Sequence, residues 1–309
     1  MTLVQAWMTD LQRALEEEAL TLGVVRIGVF YTAAQLSSGH VGVAFTPRDL
    51  SDTVCCPKTA ASAPPSGRMA GRSVWEIANY AMSPVPLRRA VGVATLNALS
   101  ALAISRHGTP GGELRPGLDA LEAVEVAPDD RVTMVGAFIP FIKALKGRVA
   151  SLQIVDKHPE ALKPEQRSLW VEPGRAAEAL GQATIAIISG SALVEGGIDE
   201  LLDASCRCRK LILAGPTASP WPLTFFGYGV DILGGIRVRD PEHLLAIVSE
   251  GGSGYMFDEA AEKVSIVRSS TLQTAEGCSH LAASASQPAT ENANSSSASS
   301  RDKNRFTVS

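Results

Sequence analysis

The sequence predicts an α/β protein whose larger part is a doubly wound parallel sheet, preceded by a smaller α+β part. Three observations predict it. Beyond residue 117 short apolar runs alternate with segments of helix length: "RVTMVGAF", "VASLQIVD", "ATIAIISGS", "KLILAGPT" and "VDILGGI". Those runs carry Val and Ile without polar alternation, the pattern of strands buried on both faces and joined by crossover helices. The first hundred residues instead give a helix, β-rich runs around a turn, and two more helices.

The first helix places Val4, Trp7, Met8, Leu11, Leu15 and Ala19 at helical spacing, with Glu16, Glu17 and Glu18 on a solvated face and Gly23 as its stop. "VVRIGVFYTAAQL" and "VGVAF" flank "SSGH" and predict a hairpin, to which "DTVCC" adds a third strand. "MAGRSVWEIANYA" and "PLRRAVGVATLNALSALAI" predict helices, the second with Pro86 in its first turn. Asn97 stands out there as an amide in a small-residue helix, placed to bond a neighbouring loop or a ligand. The Gly- and Pro-rich "RHGTPGGELRPG" predicts the connection between domains at 1–110 and 111–270. "FIKALKG", "GRAAEALGQ" and "EGGIDELLDASC" are the crossover helices. From 271 to 309 a Ser/Ala/Asn-rich composition predicts a disordered tail.

Composition excludes some classes. Apolar residues make up 45% of 309 and charged ones 19%, enough for a core, and a net charge of −4 supplies no basic face for nucleic acid. No continuous run approaches the ~18 apolar residues of a membrane span. The N-terminus lacks a basic start followed by an apolar block, so the expected location is the cytoplasm and no membrane partner is expected. Assembly into a homo-oligomer is compatible with the sequence.

Ligands of doubly wound sheets bind beyond the carboxyl ends of the strands. Those ends give the candidate ligand residues: Gly136 and Phe138 in "VGAFIPF", Asp156 in "IVDKHP", Ser189, Gly190 and Ser191 in "ISGSALVEGG", and Gly215, Pro216, Thr217 and Ser219 in "AGPTASPWP". The spacing 156 − 136 = 20 matches the acidic residue that grips a ribose in nucleotide-binding units, but the G-x-G-x-x-G fingerprint is missing. Ser189 to Ser191 suits an anion or carboxylate, and Ser191 equally suits a helix cap. Trp221 is expected to pack between the domains, and His158 to lie on a surface turn.

"TPRDLSDTVCCP" contributes Arg48, Asp49 and Asp52 as charged candidates and Cys55 and Cys56 as soft metal ligands. Adjacent cysteines lack the paired spacing of a structural zinc site, so they suit ligand contact or one reactive thiol. Cys206 and Cys208 point about 200° apart if helical and are incidental. No Ser-His-Asp order, H-E-x-x-H or P-loop is present.

"VGVAFTPRDLSDTVCCP", "VGVATLNALS", "VTMVGAFIPFIKALKG", "SGSALVEGGIDELL", "AGPTASPWP" and "LGGIRVRDPEHLLAIVSEGGSGYMFDEAAEKV" together resemble the putative heavy-metal chelation domain family, from about residue 5 to 268. The resemblance implies an N-terminal domain similar to the enolase N-terminal domain, a Rossmann-like C-terminal domain and a cleft between them. It also implies binding or delivery of a heavy or transition metal or a metal chelate, with corrinoid or siderophore-like chemistry. The leading expectation is therefore a metal or metal-chelate handling protein with a small-molecule site in the cleft. The alternative is an enzyme that binds a nucleotide-type cofactor on the Rossmann-like domain through Gly136, Asp156 and the Ser189–Ser191 loop.

Overall fold

The computed structural model describes residues 1–16, 18–48 and 63–270. The chain opens with helix α1 (Leu3–Ala14), capped at Thr2, whose hydroxyl accepts from Gln5 N–H while the Gln5 side chain accepts from Thr2 N–H. The helix ends earlier than its apolar spacing suggests. Leu15 is its C-cap, Glu16 takes a positive φ of 50°, and Gly23, the expected stop, lies inside the next strand.

Strands β1 (Leu22–Ile27), β2 (Tyr31–Leu36) and β3 (Val41–Phe45) form an antiparallel meander in the order β1-β2-β3. The run "VVRIGVFYTAAQL" is thus two strands, not one. A tight turn divides it, closed by Gly28 N–H donating to the Tyr31 carbonyl at 2.9 Å. The third strand expected from "DTVCC" lies outside the described residues.

Helices α2 (Val74–Ala78) and α3 (Pro86–His107) follow, with Pro86 in the first turn as expected. α3 lies on the meander at backbone contact: a Cβ on Gly42 of β3 would sit 2.2 Å from the Ala98 nitrogen, so only glycine fits there. By length and composition α3 could cross a membrane, contrary to the reading that nothing in the chain is apolar enough. Yet 72% of that stretch is buried, and α3 is the central core helix.

The larger sheet has the order β4-β11-β10-β9-β8-β5-β6-β7. Its parallel strands are β5 (Arg131–Val135), β6 (Ser151–Val155), β7 (Trp170–Val171), β8 (Ile185–Ser189), β9 (Lys210–Ala214) and β10 (Ile232–Val238). The five apolar runs all became strands because their side chains face core on both sides. Helices α4 (Ile139–Leu145), α5 (Ala176–Gly181), α6 (Ala192–Glu195), α7 (Ile198–Ala204), α8 (Pro222–Gly227) and α9 (Pro241–Ser249) fill the connections.

Two antiparallel strands extend this sheet. β11 (Ala261–Arg268) pairs with β10, and β4 (Gly112–Pro116) pairs with β11. The expected connection "RHGTPGGELRPG" is therefore partly a strand. Its Gly and Pro are tolerated because β4 is an edge, with only one neighbour to bond.

One continuous core joins the two parts. Leu3, Trp7, Leu36 and Leu96 belong to the same apolar cluster as Ile188, Phe225 and Leu233. Polar ties reinforce it: Trp7 Nε1 donates to Ser100 Oγ at 3.0 Å, Leu3 N–H to Asp199 at 2.8 Å, and Thr224 Oγ1 to Asp10 at 2.7 Å.

Candidate functional site

β5 sits between β8 and β6, so the connections after β5 and after β8 depart in opposite directions along the sheet. That reversal opens a crevice at the carboxyl ends, where the loops cannot cover each other. Gly136 leaves β5 with φ +94°, and a Cβ there would come 2.8 Å from the Ser189 Cβ at the end of β8. Glycine is needed on both counts, backbone conformation and space.

The loop that follows is held by Asp156. One carboxylate oxygen accepts from Ala137 N–H and the other from His158 N–H, both at 2.8 Å, while its carbonyl accepts from Trp170 Nε1. The residue at the ribose-gripping distance thus clamps the β5–α4 turn to the β6 end. His158 itself is exposed beside Glu160, on a surface turn.

The clamped turn presents Phe138. Its ring stacks on Phe141 at 5.2 Å and reaches Gly215, where an added Cβ would lie 3.6 Å from it. The β8 loop tucks in behind: Gly190 N–H donates to the Ala214 carbonyl at 2.8 Å, and Ser191 N–H donates to Ser189 Oγ at 3.3 Å. Ser191 stands at the N-cap of α6 without a side-chain cap bond.

The loop after β9 ties the two parts together. Thr217 Oγ1 accepts from Phe45 N–H at 2.9 Å, and Asn97 Nδ2 donates to the carbonyls of Thr217 (2.9 Å) and Val43 (2.8 Å). Ser219 Oγ accepts from Ile236 N–H at 3.0 Å. Trp221 is buried edge-on to His107 of α3, between the two parts.

These elements enclose a cavity of about 420 Å³. The meander supplies Phe30, Tyr31 and Phe45; the turn after β5 supplies Phe138 and α4 supplies Phe141; the short helical turn before β11 supplies Tyr255 and Phe257. Seven of the chain's twelve Phe and Tyr residues line this one space, which makes its walls π-faces. Gly215 and Pro216 form part of its wall, and Asp119, Asp258 and Lys263 add polar groups. Burial, and then Tyr255, push the Tyr31 hydroxyl up to about 12, so the ring facing the cavity stays neutral.

Of the candidate residues, the cavity gathers Phe138, Gly215 and Pro216, with Gly136, Ser189 and Gly190 packed at the crevice beside them. Arg48 lies at its edge, the guanidinium 5.9 Å over the Phe30 ring. Asn97 and Thr217 are tied into the joint between the two parts, Ser219 bonds the Pro216 and Ile236 backbone within the larger part, and Ser191 lies in the β8 loop. Asp49, Asp52, Cys55 and Cys56 lie outside the described residues. Among the described residues no three His, Cys, Asp or Glu side chains gather as a metal site. Cys208 is half-buried and its thiol lies near the Leu180 and Ala183 carbonyls; burial, then Asp231, pushes it up to about 11.

Sequence reasoning missed Phe30, Tyr31, Phe45, Tyr255 and Phe257, because they sit at turns and strand edges with no motif of their own. The signal was compositional: few aromatic residues, several of them in "VFYTAAQL" and "GYMFDE".

Known proteins share this architecture. A crystal structure of a protein of unknown function from Pyrococcus horikoshii matches 87% of this chain and 100% of its own, with a TM-score of 0.69 and 19% identity. Another from Desulfitobacterium hafniense matches 85% of this chain and 100% of its own, with a TM-score of 0.64 and 17% identity. At these identities the likeness is one of fold. An uncharacterized protein of Methanocaldococcus jannaschii is 26% identical over 194 residues, 62% of this chain and 71% of that protein. Residues 9–100 and 119–267 each match a family model described as "Putative heavy-metal chelation". The chain belongs to the family that these two models describe as putative heavy-metal chelation proteins.

Proposed function

We propose that the protein binds a metal chelate, an organic ligand carrying a heavy or transition metal as cargo, in the aromatic cavity at the strand ends. The observation that carries this reading is the set of seven aromatic walls around about 420 Å³, a volume suited to a small organic molecule. Aromatic faces favour a flat, conjugated ligand body. Asp119, Asp258 and Lys263 provide polar anchors at its edge. The Ser189 and Ser191 hydroxyls stand at the crevice for a carboxylate arm, while the Gly136, Gly190 and Ser191 N–H groups are spent on Val155, Ala214 and Ser189.

A bare ion fits the described residues poorly, since no three metal-ligating side chains meet there. An organic ligand that brings its own donors removes that requirement. Cys55 and Cys56 add soft thiolates to the proposal, and Asp49 and Asp52 add charge. The sequence that holds them begins directly after Arg48, itself at the Phe30 wall. The cofactor-enzyme alternative asks Asp156 to grip a ribose, yet both its carboxylate oxygens already accept backbone N–H bonds. The chelate reading is preferred for that reason.

The test is native mass spectrometry with elemental analysis on protein purified without chelators or a metal-affinity column. The expected result is a metal together with an organic adduct, both lost in Phe138→Ala. The double variant Cys55→Ser, Cys56→Ser should lower metal content while the fold persists by circular dichroism. Metal-free protein carrying a nucleotide-sized adduct would reject the chelate and favour the cofactor alternative.

A further inference from the structure

We infer that Thr217 and Asn97 are positioning residues of the aromatic cavity, setting how far its meander walls stand from its sheet walls. This rests on the reading that a flat organic ligand occupies that cavity, and it names what controls the fit. Neither side chain lines the space; both act through residues that do.

The register of the meander shows why side chains are needed there. Thr46 N–H donates to the Phe30 carbonyl and Leu36 N–H to the His40 carbonyl, so the even-numbered residues along β3 bond β2. Val41, Val43 and Phe45 turn their backbone groups the other way, and β3 has no second strand neighbour among the described residues. Two side chains take the place of that strand. Thr217 Oγ1 accepts the Phe45 N–H at 2.9 Å, and Asn97 Nδ2 donates to the Val43 carbonyl at 2.8 Å. The same Nδ2 donates to the Thr217 carbonyl at 2.9 Å, which joins α3, the β9 loop and the β3 edge in one connected set.

Both sides of that set carry cavity walls. On the meander side Phe45 lines the cavity, pairs in register with Tyr31, and is followed by Thr46, whose N–H holds Phe30. On the sheet side Ala218 N–H donates to the Gly215 carbonyl at 2.8 Å, closing a tight turn that carries Gly215 and Pro216. Ser219 Oγ accepts from Ile236 N–H and so anchors the turn to β10. A shift of Phe45 against Thr217 therefore moves three aromatic walls relative to the wall of the turn. Asn97 is kept at a cost, because its Oδ1 is buried with no partner. What its presence supplies is the donor half of the amide, and that half holds the joint. Ligand binding and joint closure then favour each other, and the coupling is reciprocal.

The probe is 8-hydroxyquinoline-5-sulfonate loaded with zinc, a flat fluorescent chelate, titrated into the full chain. Phe138→Ala should weaken its binding, since that ring is a cavity wall. Thr217→Val keeps the side-chain shape and removes the acceptor, and affinity should fall about tenfold or more. Thr217→Ser restores a hydroxyl and should return affinity to within about threefold of the parent. Thr224→Val is the control: it breaks another tie between the two parts, the 2.7 Å bond to Asp10, and neither of those residues lines the cavity. It should lower Tm and leave the affinity unchanged. Parent-like binding by Thr217→Val, or an equal loss in Thr224→Val, overturns the role of Thr217 and leaves the cavity reading intact. No saturable binding by the parent, or binding that Phe138→Ala leaves unchanged, removes the cavity reading and this proposal with it. In the parent alone, saturating probe should slow amide hydrogen exchange at Phe45, read by NMR, about tenfold or more. Unchanged exchange there overturns the coupling even if Thr217→Val does not fold.

Discussion

The two ends of the large sheet are built from opposite materials. At the amino ends of the parallel strands the chain buries charge and pairs it. Asp130, before β5, accepts from Arg209 Nε at 3.0 Å, from Thr184 Oγ1 at 2.6 Å and from Ala127 N–H at 2.8 Å. Asp231, before β10, accepts from Leu211 N–H at 2.8 Å and pairs with Arg268 and Lys210. At the carboxyl ends the same strands finish in Gly136, Ser189 and Gly215 beneath an aromatic cavity. One end locks strands together with carboxylates that have no partner to spare. The other keeps small residues and unfilled space, which is where the proposed ligand would sit. The lock on the sheet and the proposed binding site are thus separated by the length of a five-residue strand.

That contrast can be broken most severely at Asp231. It is 6% exposed and links β9, β10 and β11, since its own N–H also donates to the Leu211 carbonyl and its carbonyl accepts from Arg268 N–H. Asp231→Ala leaves the mostly buried Arg268 guanidinium without its counter-charge. The expected cost is about 3–5 kcal/mol, read as a large fall in Tm. A loss under about 1 kcal/mol would show the amino end to be no lock.

Acid sharpens the same contrast. Arg209 first, then hydrogen bonds from Thr184 and Ala127, hold the Asp130 carboxyl down at about 2 from an ordinary 3.8. A carboxylate whose folded pKa is depressed stabilises the fold above its unfolded pKa, and that contribution fades as pH falls from 3.8 towards 2. Unfolding midpoints measured across this window should fall more steeply for the parent than for Asp130→Asn. Parallel curves would mean that Asp130 is not the titrating group.

How much of this was legible in the sequence follows from the same physics. Five of the six parallel strands were readable because burial on both faces leaves Val and Ile runs that nothing else explains; the two-residue β7 is too short to leave such a run. β4 was not, because an edge strand bonds one neighbour and so carries charge, Gly and Pro like a loop. The early end of α1 was hidden because Leu15 is buried as a cap, keeping the helical spacing of apolar residues past the last turn. The region of the candidate cavity was readable from the strand ends. Its aromatic lining was not, because Phe30, Tyr31 and Phe257 converge only after the meander folds onto the sheet. Asp156 was found by spacing, but what it holds depends on the path of a turn that spacing does not describe.

At the carboxyl end Gly136 offers the intermediate test. Gly136→Ala meets both a φ of +94° and a Cβ contact of 2.8 Å with Ser189. The expected cost is about 1–3 kcal/mol, with ligand retention reduced because Ala137 and Phe138 follow directly. Thermal unfolding together with the adduct measured by native mass spectrometry checks both effects. Unchanged stability with lost adduct would make Gly136 a contact to the ligand and not a support for the turn.

The smallest expected effect is the most discriminating. In Asp156→Asn one amide oxygen can still accept from Ala137 or His158, while the other backbone N–H faces an NH₂ group. The loss is one hydrogen bond at a half-exposed turn, about 1 kcal/mol. If Asp156 works only as a clamp, the variant unfolds slightly earlier and the chelate affinity falls a little, because Phe138 is held less firmly. If the residue grips a ribose, affinity for a nucleotide probe such as NAD should instead fall about tenfold or more, since the variant loses a charge-assisted bond. Calorimetric titration of NAD into parent and variant separates the two. The clamp geometry predicts that neither protein binds it, and binding by the parent that the variant loses would return Asp156 to the ligand.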